Sequence, residues 1–365
     1  MITKFKTAML AAAQLTAANS LTAATAAIQR ALAGELPASA PHAAAGTAAR
    51  AAGPSGGDAI DVESKWVDVR DESPPVKPRE ADGRTVSRTY ASPAGSRSYL
   101  LHLPPQAAAG SRLSLVVMLH GCTQSPEDFA AGTQMNGLAD QQGFVVLYPG
   151  QSKAANQNAC WNWFNPRDQQ SGAGEPSIIA GMVREVLAQH PVDPARIHIA
   201  GLSAGGAMAA IMAEAYPDIF AAVAVHSGLP PGAARDLPSA LNAMKRGAAA
   251  PVASGGRGKP PVRTMVIHGR QDRTVHPVNG RQLVDSALAA WPQDELTMTQ
   301  ETRRSPGGRS YVRTVHADTA GKAMVEQWEI QGAGHAWSGG SPSGSYTDPN
   351  GPDASAAIID FFKGR

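Results

Sequence analysis

Cysteine is almost missing from this chain, with two residues in 365. Two thiols cannot build a disulfide scaffold, nor by themselves a cysteine-based zinc site, and no other grouping asks for a metal or a cofactor. Long apolar runs are missing as well. None reaches the ~18 residues that mark a membrane-spanning helix, so no transmembrane segment is expected. Nor does one sign of charge prevail: 32 Lys and Arg face 30 Asp and Glu, a net charge of +2. The basic residues are scattered, which argues against nucleic acid or an anionic membrane surface as a partner. With 17% charged and 43% hydrophobic residues, the chain can bury a core, which argues against global disorder. Its length suits one large α/β domain of roughly 250–290 residues plus extra segments. An enzyme is the expectation at this size.

Residues 1–35 are Ala-rich. Lys4 and Lys6 before the apolar residues 8–13 look like the start of a signal peptide. Gln14, Thr16, Asn19 and Ser20 then interrupt the apolar stretch, and the small-residue site Ala38-Ser39-Ala40 lies well beyond it. A helical hairpin over 3–18 and 21–32, capped by Asn19-Ser20 and stopped by Gly34, is the favoured reading, with a poor signal peptide as its rival. Residues 36–83, rich in Pro, Ala, Gly and Ser, read as a flexible linker.

From 84 to 365 the pattern is that of a catalytic α/β domain. Residues 84–91 and 98–103 alternate around Ser92-Pro93-Ala94-Gly95, a hairpin. Buried strands are expected at Leu113–Leu119, 144–148, 196–200, 220–225 and 262–267, with later strands at 311–316 and 324–330. Helices are expected at 127–142, 176–189, 204–216, 277–291 and 354–363. Strands alternating with helices predict a mostly parallel central sheet with helices on both faces.

The sharpest motif is Gly201-Leu202-Ser203-Ala204-Gly205-Gly206. Gly-x-Ser-x-Gly alone is weak, since chance supplies roughly 0.3 matches in a chain of this composition. Its setting strengthens it. A buried strand enters and an Ala/Met-rich helix leaves, as at a nucleophile elbow, where side chains at 201 and 205 would clash. The plainer alternative is a Gly-rich turn with a capping serine.

A nucleophilic serine needs a base, and the base an orienting acid, in the chain order Ser, acid, His. Asp272 ends the run Ile267-His268-Gly269-Arg270-Gln271-Asp272, just past a strand at the carboxyl edge of the sheet. His335 follows the last strong strand, and Gly332-Ala333-Gly334 lets its loop fold over the sheet edge. A turn acid and an exposed loop histidine are the plainer alternatives. His226, His268 and His276 precede the required position and are expected to line the site or satisfy loop hydrogen bonds. His120-Gly121-Cys122 follows the first parallel strand. There the backbone N–H groups of Cys122 and Ala204 would form an oxyanion hole, one such donor being worth roughly 3–4 kcal/mol.

Six blocks in this order carry a resemblance: His120-Gly121-Cys122-Thr123-Gln124, Cys160-Trp161-Asn162-Trp163, Gly201 to Gly206, His226-Ser227-Gly228-Leu229-Pro230, His268-Gly269-x-x-Asp272 and Gly334-His335-x-Trp337. The chain resembles the poly(3-hydroxybutyrate) depolymerase family of α/β-hydrolase esterases over about residues 95–363. The resemblance implies ester hydrolysis through an acyl-enzyme, with Ser203 as nucleophile, His335 as base and Asp272 as its partner. It also implies secretion to the extracellular space or periplasm, which the N-terminus supports only weakly against a cytoplasmic home. The family borders on feruloyl and acetyl-xylan esterases. Depolymerases that attack solid polymer usually carry a surface-binding domain after the catalytic one, whereas this chain ends 30 residues after His335. Soluble oligomers, amorphous polymer or other esters are therefore the expected substrates.

Substrate contacts are expected from His120, Trp161, Trp163, His226 and Trp337. The aromatics of loop 150–175 could face an acyl or feruloyl group or simply anchor the loop. The insertion 227–260, with a helix over 238–245, reads as a short cap or flap. Gly307-Gly308 and the Ser/Gly cluster 338–344 read as solvent loops. A serine peptidase and a non-catalytic binding protein on the same fold remain competing functions. Cys122 and Cys160 both fall in loops at the carboxyl edge, after strands that should be near neighbours, and are predicted to form a disulfide. The alternative is two buried free thiols, as a cytosolic home would favour.

Overall fold

The computed structural model describes residues 69–70, 83–109, 111–249 and 261–364, all within the unit Lys65–Arg365. The expected N-terminal hairpin or signal peptide, and most of the expected linker, lie outside the described residues. One piece of that linker range is a strand, β1 (Val69–Arg70), which corrects the reading of 36–83 as linker throughout.

The hairpin forms as its alternation requires: β2 (Arg84–Ser92) and β3 (Gly95–Leu103) pair antiparallel around Pro93-Ala94. The later strands are β4 (Leu113–Leu119), β5 (Phe144–Pro149), β6 (Val192–Leu202), β7 (Ala222–His226), β8 (Arg263–Gly269), β9 (Thr297–Arg304), β10 (Ser310–Ala317) and β11 (Ala323–Ile330). Together they make an 11-stranded sheet in the order β1-β9-β10-β11-β8-β7-β6-β4-β5-β3-β2. The centre, from β5 through β4, β6, β7 and β8 to β11, is parallel. Antiparallel pairs extend it on both sides.

The central strands are apolar on both faces because helices cover both. The helices are α1 (Pro126–Thr133), α2 (Met135–Gln142), α3 (Gly174–Gln189), α4 (Ala204–Ala215), α5 (Leu237–Arg246), α6 (Val278–Leu288) and α7 (Ala354–Lys363). Along β4, Leu115, Val117 and Leu119 join a core with residues of α3, α4 and α6. Val116 and Met118 point the other way, into a core with α1, α2 and α7. The period of two along one strand thus feeds two separate cores.

The structure departs from expectation in four further places. The helix expected over 127–142 is two helices, because Gln134 takes a left-handed φ of 52° and ends the first. Strand β9 was not expected: its sequence is polar and mostly exposed, so no apolar period marks it. Residues 338–344, expected as a solvent loop, are tied to the core at several points. Ser341 N–H donates to Gly132 O at 2.8 Å, and a Cβ on Gly344 would lie 2.4 Å from Asp128 O. The described part of the insertion is anchored, not a free flap. Its helix α5 is held by Asn279 Nδ2 on Ala243 O at 2.9 Å and by His276 N–H on Met244 O at 2.7 Å. Among the described residues no helix is long and apolar enough to cross a membrane.

Candidate active site

Strand β6 delivers Ser203 into a turn that only glycines permit. A Cβ on Gly201 would lie 2.3 Å from Gly205 O, and one on Gly205 only 2.1 Å from Leu119 O. Ser203 itself carries φ 58° and ψ −120°, and its side chain does not cap α4 as an N-terminal serine ordinarily would. The backbone is strained at this residue, which holds the hydroxyl away from the helix amides. Ser203 N–H is fixed by donating to His226 O at 2.9 Å.

Two strands away, the loop after β8 presents Asp272, 3% exposed. Its Oδ1 accepts from Thr274 N–H at 2.9 Å and Val275 N–H at 2.8 Å. Its Oδ2 accepts from His335 Nδ1–H at 2.7 Å and faces His268 Nε2 at 3.4 Å. Burial alone would raise this carboxyl. The adjacent imidazoles of His268 and His335 outweigh burial and hold it well below the usual carboxylate range. With Nδ1–H committed to Asp272, the lone pair of His335 Nε2 is free to take a proton. The two loops touch closely: Gln271 N–H donates to Ala333 O at 2.9 Å, and a Cβ on Gly269 would lie 2.6 Å from Gly334 O.

On the other flank, the loop after β4 lies against the serine: a Cβ on Gly121 would lie 3.5 Å from Ser203 Cβ. Its amides are nearly all committed. Gly121 N–H donates to Gln124 Oε1 at 2.9 Å, Thr123 N–H to Asn158 O at 2.7 Å and Gln124 N–H to Gly121 O at 3.3 Å. Among the described residues Cys122 N–H has no acceptor, and neither does Ala204 N–H in the opening turn of α4. Cys122 and Cys160 form a disulfide with a Cα separation of 4.2 Å.

The five residues expected to touch substrate are all buried: His120 0%, Trp161 1%, Trp163 5%, His226 1% and Trp337 1% exposed. The polar atoms of four of them hold the frame, which favours the loop-anchoring alternative for the aromatics of loop 150–175. His120 Nδ1–H donates to Gly121 O at 2.8 Å, and its Nε2 accepts from Gln151 N–H at 3.1 Å. Burial keeps this ring neutral by lowering its pKa. Trp161 Nε1–H donates to His120 O at 3.1 Å, and Trp163 packs edge-on against Phe164. His226 accepts from Ser338 N–H at Nε2 (3.0 Å) and stacks on Trp337 at 5.2 Å. Burial, then the nearby His268 and His335, push His226 down to about 3. Because its carbonyl also holds Ser203, His226 ties the serine turn to the histidine loop. Trp337 Nε1–H donates to Ser355 Oγ at 3.0 Å. It opens the short strand β12 (Trp337–Ser338), which pairs with β13 (Thr347–Asp348).

Sequence reasoning missed Gln151 and Glu175, which support the loop 150–175. Glu175 reads in sequence as an ordinary acid just before the helix expected at 176–189, and Gln151 as a polar loop residue after Pro149-Gly150. Among the described residues no group of three or more His, Cys, Asp or Glu is placed to hold a metal ion.

Residues 97–306 match the family model described as Esterase PHB depolymerase. Poly(3-hydroxyalkanoate) depolymerase C of Paucimonas lemoignei is 33% identical over 284 residues, 75% of this chain and 66% of the relative. Feruloyl esterase B of Neurospora crassa is 34% identical over 145 residues, 40% of this chain and 48% of the relative. The chain therefore spans less than two thirds of the length of either. Acetyl xylan esterase from Aspergillus awamori superposes with a TM-score of 0.60 at 19% identity, covering 77% of this chain and all of that one. This likeness establishes the α/β-hydrolase fold.

Proposed function

We propose, for a chain that belongs to the Esterase PHB depolymerase family, that it hydrolyses carboxylic esters through an acyl-enzyme on Ser203. The observation that carries this reading is the 2.7 Å bond between His335 Nδ1 and a buried Asp272 already held by two backbone amides. That bond fixes the imidazole tautomer a serine nucleophile needs. Ser203 Oγ attacks the ester carbonyl while His335 Nε2 takes its proton. The negative charge on the carbonyl oxygen is met by Cys122 N–H and Ala204 N–H. Collapse breaks the ester C–O bond, and His335 returns the proton to the leaving alcohol. Water then attacks the acyl-serine with His335 again as base, releasing the acid and restoring Ser203.

The proposed substrates are poly- or oligo-(3-hydroxyalkanoate) esters, supported by the likeness to the Paucimonas depolymerase over three quarters of this chain. Feruloyl or acetylated xylan esters are the second reading, supported by the Neurospora relative and the Aspergillus superposition. Extracellular or periplasmic location belongs to the same proposal. The disulfide suits an oxidising compartment, and fractionation of producing cells tests it. Ser203→Ala should abolish both hydrolysis and labelling by a fluorophosphonate while the protein stays folded. Retained turnover would refute the nucleophile. Rates on 3-hydroxybutyrate oligomers against methyl ferulate choose between the substrate readings.

A further inference from the structure

Glu175 is a carboxylate 3% exposed that takes no part in the chemistry above. Burial pushes its carboxyl up, and neighbouring Asp168 adds to this. A buried charge of this kind is costly where an apolar side chain would fill the space. Its partners indicate what holds it there. Oε2 accepts from Asn162 N–H at 2.7 Å; Oε1 accepts from Asn162 Nδ2 at 2.8 Å and from Gln151 Nε2. The Arg97 guanidinium lies 3.5 Å away. Glu175 is itself pinned, its N–H donating to Asp168 Oδ1 at 2.7 Å in the first turn of α3, where the helix dipole favours a negative charge.

The segment so gripped, 151–162, holds the loop that carries Cys122. Gln151 N–H meets His120 Nε2, Asn158 O takes Thr123 N–H, Cys160 is bonded to Cys122, and Trp161 Nε1–H meets His120 O. Gln151 joins the two levels, since its Nε2 also donates to Cys160 O at 2.9 Å. We propose that Glu175 is a positioning residue for the oxyanion hole, a buried carboxylate that aims Cys122 N–H by fixing the 151–162 segment. The inference rests on the reading of Cys122 N–H as an oxyanion donor.

The test uses the full chain with Glu175→Gln, which keeps the shape but turns an amide N–H₂ toward groups that are all donors. Gln151→Ala removes the link between the two levels. Tyr99→Phe is the comparator: it deletes a 2.5 Å bond to Glu185 on the same helix and none of the brace's own hydrogen bonds. Three readouts are taken: kcat and KM on a p-nitrophenyl ester per fluorophosphonate-titrated site, the labelling rate constant, and the Ki of a trifluoromethyl ketone. Deleting a whole oxyanion donor costs ~10²–10³ in kcat, so displacing one should cost ~10–10². We expect that loss in Glu175→Gln and Gln151→Ala, with KM changed by less than about twofold and ketone affinity falling in step with kcat/KM. Tyr99→Phe should change none of these. If both brace variants keep kcat, labelling rate and ketone affinity within about twofold of wild type, the proposal is overturned. If Glu175→Gln does not fold, Gln151→Ala decides on the same readouts. A wild type that is labelled but cleaves no ester would sink the esterase reading alone, and the labelling rates would still judge the brace. A wild type that is not labelled would sink both.

Discussion

Asp272 follows β8 and Cys122 follows β4, so in sheet order they stand on opposite sides of β6 and Ser203. The Asp272 side is held by charge: one carboxylate gathers two amides and two imidazoles. The Cys122 loop is touched by main-chain bonds, a histidine and a covalent link, and its one carboxylate, Glu175, stands a layer behind, gripping segment 151–162. A base that must gain and lose a proton needs an electrostatic partner, whereas a dipole donor needs only a fixed position. The two flanks should therefore fail in different ways.

The largest expected failure is on the charged flank. Asp272→Asn leaves the shape but lets His335 take the wrong tautomer, and turnover should fall by about 10⁴-fold. Fluorophosphonate labelling should slow but remain measurable. Near-wild-type turnover would mean that another acid serves His335.

The covalent flank should lose less activity and more stability. Replacing both cysteines by alanine should lower kcat by ~10–10² through a looser donor, with KM little changed. Closing a loop of 38 residues is worth up to about 4 kcal/mol in the chain-entropy model, so the urea midpoint should drop as well. Equal losses in kcat and substrate affinity would argue that the bond shapes the substrate site instead.

The smallest effect separates stability from chemistry. Burial pushes both His226 and His198 down to about 3. Unfolded histidine titrates near ~6.5, so below that pH the unfolded chain binds protons that the folded chain refuses. Stability should be complete above ~6.5 and decline as pH falls toward 3. His198 is stacked on Phe362 at 4.6 Å, and its Nδ1 has no hydrogen-bond partner among the described residues. His198→Leu should flatten this acid decline, read by urea midpoints from pH 7 to 4, and leave turnover per folded molecule unchanged. An unaltered slope would remove His198 from the account.

What the sequence made legible follows from where the physics is local. Strand β4 was read to the residue because one apolar run bounded by turn signals admits few alternatives. The Gly201–Gly205 contact was foreseen from motif spacing because backbone crowding is short-range. Asp272 and His335, 63 residues apart, were paired by chain order and are bonded. Gln134 was illegible because nothing in its identity demands a left-handed turn. Strand β9 was illegible because its pairing partners, not its own period, make it a strand. The five buried site residues could be placed near the site but not oriented, because sequence puts an aromatic or a histidine there without saying which way it faces. Glu175 went unread for the opposite reason: an acid at a helix start looks complete by itself, and its partners lie up to 78 residues away at Arg97.

The backbone of Ser203, at φ 58° and ψ −120°, bears on how such a chain can drift over generations. A side-chain-bearing residue held there costs about 1–3 kcal/mol. Glycine takes the same conformation freely, at the expense of about 0.5–1 kcal/mol of extra unfolded-chain entropy. Ser203→Gly should therefore fold at least as stably as the parent, a comparison that calorimetry can make, while having no nucleophile. A lineage screened only for staying folded would meet no barrier to that substitution. Retention of serine at this position marks chains in which turnover itself is selected.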